Sequence, residues 1–523
     1  MPERCQVLVV GGGLGGIAAA LAAARLDTRV VLTEPTQWLG GQLTVQAVPP
    51  DEHPWIEHTG GNDSYLRLRQ LIRERYRRTR DLTPTAAGDR LLNPGASRVS
   101  PIGCEPREAV AAIDELLAPH RADGRIRVLY RHAPVAADVD GDRVTAVTLR
   151  DTLRGEEMTI TAPFILDATE EGDLLRLTGC EYVIGGEGSD VTGEPHNIPG
   201  GPDPSCQQAV TWCVALEHRP GENHTVDRPA AYSFWQRYRA PFWPGPQLGW
   251  ATQEPETGRP LVRQLFGEGR DLWTFRRIRY AGHHLDSSMT DITVVNWPQI
   301  DYWLAPVVDA PDDDRSEHLG RARELTRSFV YWLQTEAPRP DGGTGWPGLR
   351  PAADVLGTDD GFAQRHYTRE SRRIRGQTTV LETHVGVDAR ARRRGAQHVL
   401  DSVGVGSYRI DLHPTTCGRG YVDVAAWPFQ IPLGALVPIR LRNLMPAAKN
   451  LATTHVTNGC FRLHPVEWSV GEAAGALAAF CLDEATEPQA VHADPAATAE
   501  FQALLDRLGV QRHWPRDIAV QAS

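Results

Sequence analysis

The chain has 523 residues, 41% of them apolar and 23% charged, a globular composition that excludes a disordered or fibrous polymer. Its formal charge of -11 excludes nucleic acid and an anionic membrane as partners of the whole surface. The length exceeds what one core usually serves and predicts two domains, or one large domain with an insertion. No apolar run of about 18 residues is present to span a membrane. Met1–Cys5 runs straight into Val7–Val10, which leaves no space for a signal peptide. The eight cysteines are scattered, without a CxxC pair or a Cys/His cluster. That pattern argues against a zinc site or a disulfide scaffold and for a reducing compartment, so a cytoplasmic protein is expected. Among the 55 basic residues only Lys449 is a lysine.

In chain order, the Gln6–Val10 run is short, apolar and β-branched, which predicts a buried strand. Gly11–Gly16 follows, and Ile17–Leu26, almost all Ala, Leu and Ile, predicts a buried helix. Thr28–Thr33 predicts a second strand that ends at Glu34. Pro106–His120 reads as an amphipathic helix. Short strands are expected at Ile126–Tyr130, Val135–Val139, Val144–Leu149 and Met158–Ile160, with a turn at Asp140-Gly141. Phe164–Leu166 predicts another buried strand, ending in Asp167-Ala168-Thr169. From Val183 to Leu356 the chain is crowded with Gly and Pro and holds nine of its fourteen tryptophans. This predicts a separate, loop-rich α+β lobe in which core packing accounts for most indoles and a few are left for a pocket wall. Beyond 357 strands are expected at Val403–Ile410 and Phe429–Leu433, and a buried helix at Val466–Leu482. Pro495–Leu508 completes the series as an amphipathic helix capped by Asp494.

The glycine run has a strand before it, a helix after it, and an acid, Glu34, eighteen residues beyond Gly16. Together these mark a dinucleotide site. Gly11 permits the tight turn, Gly13 lets the backbone approach a pyrophosphate, and Gly16 lets helix and strand pack closely. The helix opened by Leu14 and Gly15 offers unpaired N–H groups to the phosphates. Glu34 would accept hydrogen bonds from the adenosine ribose. A second match, Gly343 to Gly348, lacks a preceding strand and contains Pro347, so it is rejected. Gly40 and Gly41, just before Gln42, leave room beside a bulky second half of the dinucleotide; by themselves they do not separate FAD from NAD.

Several stretches resemble a known family. Gly11–Gly16 with Glu34, Leu39-Gly40-Gly41-Gln42, the Leu166–Glu170 run and the Gly471–Gly475 run are similar to FAD-dependent oxidoreductases of the glutathione-reductase-like superfamily. Tyr367–Ile374, Gly406–Pro414 and Asn443–Gly475 resemble a bacterial branch of those enzymes. The resemblance implies an α/β fold: a Rossmann-type parallel sheet with a β-meander, built from both ends of the chain, beside the tryptophan-rich substrate lobe. The resemblance covers roughly residues 5–180 and 350–482 and, with the change in composition between them, divides the chain into 1–182 and 357–485 for FAD, 183–356 as the lobe, and 486–523 as a helical tail. The cofactor residues it implies are Gly11, Gly13, Leu14, Gly15, Gly16, Glu34, Pro35, Trp38, Gly40, Gly41, Gln42, Val135, Ala168, Thr169, Val466 and Gly471. Glu170 stands where many relatives have glycine. FAD would be bound non-covalently, or covalently through His413 or Cys417, and no metal is expected.

Hydride removal from a CH–OH or CH–NH carbon needs a base for the accompanying proton. His413, His455 and His464 are the candidates. Arg409 and Arg462 are candidates to orient a substrate, with ion pairs to Asp411 or Glu467 as their competing use. Glu370, Arg372 and Arg373 are expected to form an ion network between lobes, and Lys449 lies either beside the flavin or at the surface. The expected function is that of a dehydrogenase or oxidase acting on a small polar metabolite such as a sugar, cyclitol or natural-product intermediate. Its electrons would pass to O2 or an unknown carrier, and a homodimer is compatible with the sequence. The alternatives are a monooxygenase using NAD(P)H and O2, against which the lack of a second nucleotide motif weighs, and a protein with a structural FAD.

Overall fold

The computed structural model describes residues 3–267, 271–390 and 394–521. A five-stranded parallel sheet runs in the order Leu444–Pro446, Phe164–Asp167, Val7–Val10, Val30–Glu34, Ile126–Tyr130. The two outer segments come from opposite ends of the chain, so one sheet unites them. Helices cover such a sheet on both faces, which explains why Val7–Val10 is apolar throughout and fully buried. The first helix, Leu14–Arg25, lies against the late helix His464–Asp483. Their backbones touch: a Cβ added to Gly471 would lie 1.9 Å from the Gly15 carbonyl oxygen, and one on Gly475 2.1 Å from that of Ala19. The late helix begins two residues before the expected Val466, with Pro465 in its first turn.

A meander of His132–Asp140, Arg143–Asp151 and Glu157–Thr161 flanks this sheet. The strand expected over Val403–Ile410 is two strands, because the chain changes partners: Ser402–Gly406 pairs with Phe429–Pro432, and Ile410–Leu412 with Val422–Val424. That second pair forms a hairpin, residues 410–424.

Between 183 and 356 lies an antiparallel sheet in the order Arg277–Arg279, Ile292–Val295, Val214–His218, Leu349–Pro351. The 24-residue helix Asp312–Thr335 packs on it around a cluster that includes Trp235, Trp273, Trp297 and Trp332. Six of the nine indoles, those four with Trp243 and Trp303, are buried. A further apolar cluster joins Ala47 and Val48 to Cys213, Ala215 and Val294 and so seats this lobe on the parallel-sheet domain. Arg372 pairs with Asp309 at 2.6 Å and Asp173 at 3.2 Å, and Arg373 with Glu187 at 2.8 Å and with Glu370; ions of both lobes thus meet here.

One expectation is overturned. Cys206 and Cys417 form a disulfide, hidden in the sequence because 211 residues separate them. The cysteine-based argument for a reducing compartment lapses with it. Among the described residues no helix is long and apolar enough to cross a membrane.

Candidate active site

Two cavities gather the candidate residues. The first opens at the carboxyl ends of the parallel strands, where ligands of such sheets bind. Gly11, Gly13, Glu34, Pro35, Gly41, Ala168 and Thr169 line it, together with Glu170 and Arg365. Gly11 has φ +108°, and a Cβ there would sit 2.2 Å from the Ala168 carbonyl oxygen; only glycine makes this turn. Its N–H donates to Thr33 Oγ1 at 3.3 Å. Burial pushes the Glu34 carboxyl up to about 7, although it accepts the Thr36 N–H at 2.8 Å.

Other expected cofactor residues stand behind this wall. Gly15 meets the Ala447 carbonyl, Gly16 that of Gly11, and Gly471 that of Gly15, while Leu14 and Val466 are buried in the core. Gly40 donates to the Gly12 carbonyl at 2.8 Å, tying the second glycine turn to the first. Three expected residues stand apart from this cavity's wall. Trp38 lines a separate outer cleft, with the Arg107 guanidinium 5.4 Å from its ring. Ala133 and Pro134, rather than Val135, form the cavity wall. Gly471 serves helix packing.

Beneath the glycine turn lies a charged cluster. Lys449 is buried, pairs with Glu170 at 2.6 Å and donates to the Thr368 carbonyl at 2.9 Å. Glu467 accepts the Gly15 N–H at 3.2 Å and a hydrogen bond from Gln42 Nε2. Burial, with repulsion from Glu170, pushes the Glu467 carboxyl up to about 7. Gln42 also donates to the Arg462 carbonyl at 3.2 Å. Arg462 pairs with Asp411 at 2.8 Å, and Asp411 lies 3.6 Å from His413 Nε2. Glu170 of this cluster lines the first cavity and Asp411 the second.

The second cavity, about 560 Å³, lies where the lobe meets the 410–424 hairpin. Its wall carries four arginines (98, 263, 276, 409) and four carboxylates (Glu254, Glu256, Asp411, Asp423), with Phe275, Tyr408, Tyr421 and His413. No tryptophan lines it. The lobe's indoles therefore pack its core and do not form this pocket wall.

Of the three candidate histidines, His413 lines the second cavity. Its Nδ1 lies 2.6 Å from Asp301 Oδ2 and 3.0 Å from the Tyr421 hydroxyl. Asp301 comes from the lobe and is fully buried. It also pairs with Arg369 at 3.1 Å and accepts from Thr211 Oγ1 at 2.6 Å. Burial pushes the Asp301 carboxyl up, but Arg369 and His413 outweigh this and hold it below the usual carboxylate range. Asp301 thus holds the Nδ1 edge of the ring, and Nε2 lies 3.6 Å from Asp411 Oδ2.

The other two histidines line neither cavity. His464 accepts the Asp51 N–H at Nδ1 (3.2 Å) and donates from Nε2 to the Val48 carbonyl (3.0 Å). Burial pushes it down to about 4, so it is a neutral strut for the 48–51 segment. His455 is fully buried, with Nδ1 3.0 Å from both Glu370 oxygens, and lines neither cavity. Arg409 lines the second cavity, paired with Asp423 and, at 2.9 Å, with Glu256. Arg462 is buried behind that wall, held by Asp411 and donating to the Tyr367 hydroxyl at 2.7 Å. Cys417, bonded to Cys206, has no free thiol for a covalent flavin. Sequence reasoning missed Asp301, Tyr421, Arg369 and Arg276; the WPQID stretch around Asp301 carries no motif.

The profile of the FAD dependent oxidoreductase family matches residues 6–505. The chain belongs to this family. FAD is its cofactor, and the first cavity fits the ADP half: a Cβ on Gly13 would crowd the Glu170 and Glu467 carboxylates at 3.0 and 3.1 Å, and the buried Glu34 carboxylate stands at the strand end for a ribose diol. The chain is 26% identical over 201 residues to a bilirubin reductase of Mediterraneibacter gnavus, covering 35% of this chain and 30% of that protein. It is 39% identical over 62 residues to an NADH oxidase of Thermoanaerobacter brockii, covering 11% and 10%. The chain thus spans a third or less of these relatives' length. A geranylgeranyl bacteriochlorophyll reductase-like structure from Thermoplasma acidophilum aligns over 97% of this chain and 84% of its own, at 11% identity and a TM-score of 0.33.

Proposed function

We propose that this FAD-dependent oxidoreductase is a dehydrogenase or oxidase that removes a hydride from a CH–OH or CH–NH carbon of a small polar metabolite bound in the second cavity. The observation that carries the reading is His413 with Tyr421 on that cavity's wall, backed by the buried Asp301. FAD supplies the two-electron acceptor. His413 Nε2 takes the hydroxyl or amine proton as the hydride leaves, and Asp301 stabilises the resulting imidazolium. Arg369, paired to the other Asp301 oxygen, keeps that carboxylate ionised. Arg276 and Arg409 stand on the wall to orient polar substituents, and the mixture of charges suits a polyhydroxylated or zwitterionic molecule better than an apolar one. Sugars, cyclitols and polar natural-product intermediates stay within this class.

The test is an anaerobic screen that follows bleaching of the visible flavin band. Polar alcohols or amines that bleach the enzyme, followed by reoxidation in air or by an artificial acceptor, support the reading and separate an oxidase from a dehydrogenase. Bleaching by NADPH or NADH alone, with no response to any such donor, contradicts it in favour of the monooxygenase reading.

A further inference from the structure

We propose that Cys206–Cys417 is a thiol–disulfide exchange site, entered at Cys417, whose reduction releases the 410–424 hairpin from the lobe and unseats His413 from Asp301. This rests on the position of the hairpin and stands whatever the substrate is. Cys417 is exposed at the hairpin tip, whereas Cys206 is fully buried in the lobe. Of the remaining cysteines, Cys104, Cys180, Cys213, Cys460 and Cys481 are buried and Cys5 is half-buried, so Cys417 is the sulfur an incoming thiolate reaches most readily.

The bond lies in the seam that registers the two halves of the candidate base. Around it the Thr416 N–H donates to the Gln207 carbonyl at 2.9 Å, the Gln207 N–H to Thr416 Oγ1 at 2.9 Å, and the Ala209 N–H to the Pro414 carbonyl at 2.9 Å. The His413 N–H donates to Gln208 Oε1 at 3.2 Å. Just beyond this segment, Val210 and Thr211 pair with Tyr302 and Asp301. The hairpin therefore brings His413 and Tyr421, and the segment behind Cys206 brings Asp301. These contacts are part-buried and non-covalent, and the disulfide is the covalent link that fastens the hairpin to the lobe beside them.

The exchange balances with a small thiol as reductant. Its thiolate attacks Cys417 Sγ and forms a mixed disulfide; the Cys206–Cys417 bond breaks, and Cys206 leaves as a thiolate that takes a proton. A second thiol attacks the mixed disulfide, releasing Cys417 as a thiol and the reductant as its own disulfide. Thr415 Oγ1, 3.1 Å from Cys417 Sγ, can donate to the departing Cys417 thiolate. A low-molecular-mass disulfide reverses the sequence.

The test treats the native holoenzyme with dithiothreitol, alkylates with iodoacetamide and maps the peptides, with hydrogen exchange measured in parallel. Expected are alkylation of Cys206 and Cys417 while the five buried free cysteines stay protected, and a loss of exchange protection over 413–421. Two variants localise the entry point. Cys206→Ser, exposed to oxidised glutathione, is expected to carry the adduct on Cys417, and Cys417→Ser to carry none on Cys206. A bond that resists dithiothreitol until the protein unfolds overturns the proposal, as do two free thiols in the untreated protein or unchanged exchange at 413–421 after reduction. The wild-type titration decides the matter even where a variant fails to fold.

Discussion

The two cavities are built on opposite plans. The first draws on strand ends and turns, each a short run that folds locally: Gly11–Gly13, Glu34 and Pro35, Gly41, and Ala168–Glu170. The second collects a hairpin, lobe loops and a buried aspartate: Tyr408–His413, Tyr421, Arg276, and Asp301 behind them. Backbone geometry defines the first, and long-range pairing of charged side chains defines the second. Cofactor binding should therefore fail when backbone space is filled, and chemistry should fail when a pair is broken.

The comparison can be broken at either end. The largest effect is expected of Gly15→Val, whose Cβ would lie 1.8 Å from the Ala447 carbonyl oxygen. Overpacking of about 3 kcal/mol or more should cost both flavin content and Tm; retained FAD at an unchanged Tm would show that helix contact to be looser than described. Next comes Asp301→Asn, which leaves the buried Arg369 guanidinium without its charge partner. A loss on the order of 3 kcal/mol in thermal stability, with slower flavin reduction but unaltered FAD affinity, is expected.

A pH series sharpens the first cavity. The Glu34 carboxyl, ordinarily at 4.5, is pushed up to about 7 by burial. The folded apoprotein therefore holds a proton that the unfolded chain loses across that window, and stability falls as pH rises from 4.5 to 7. Against a Glu34→Gln apoprotein, the wild type should lose on the order of 1–3 kcal/mol over this range, with the difference flat at higher pH. Chemical denaturation at stepped pH measures it; parallel curves would place the carboxylate in water. The smallest effect is expected of Trp38→Phe, which should leave FAD affinity unchanged because Trp38 lines a different cleft.

The same contrast explains what could be read in advance. The strand–glycine turn–helix–strand unit ending at Glu34 and the meander follow from local patterns, and Val7–Val10 and Pro495–Leu508 form as expected. The Asp63–Thr79 helix went unread although Tyr65, Leu68, Ile72 and Tyr76 make its buried stripe, because its many arginines mask the period. His413 was legible as a histidine of the right type in a strand end. Its difference from His455 and His464 was not, since it depends on Asp301, 112 residues away. The Cys206–Cys417 bond was invisible for the same reason.

The most direct test of the account is anaerobic rapid-mixing reduction of bound flavin by a donor from the screen, with His413→Asn compared to wild type and FAD content measured in both. The account predicts full FAD content and reduction slowed by about 10²- to 10⁴-fold. Reduction at the wild-type rate would contradict it and remove the second cavity's base from the reaction.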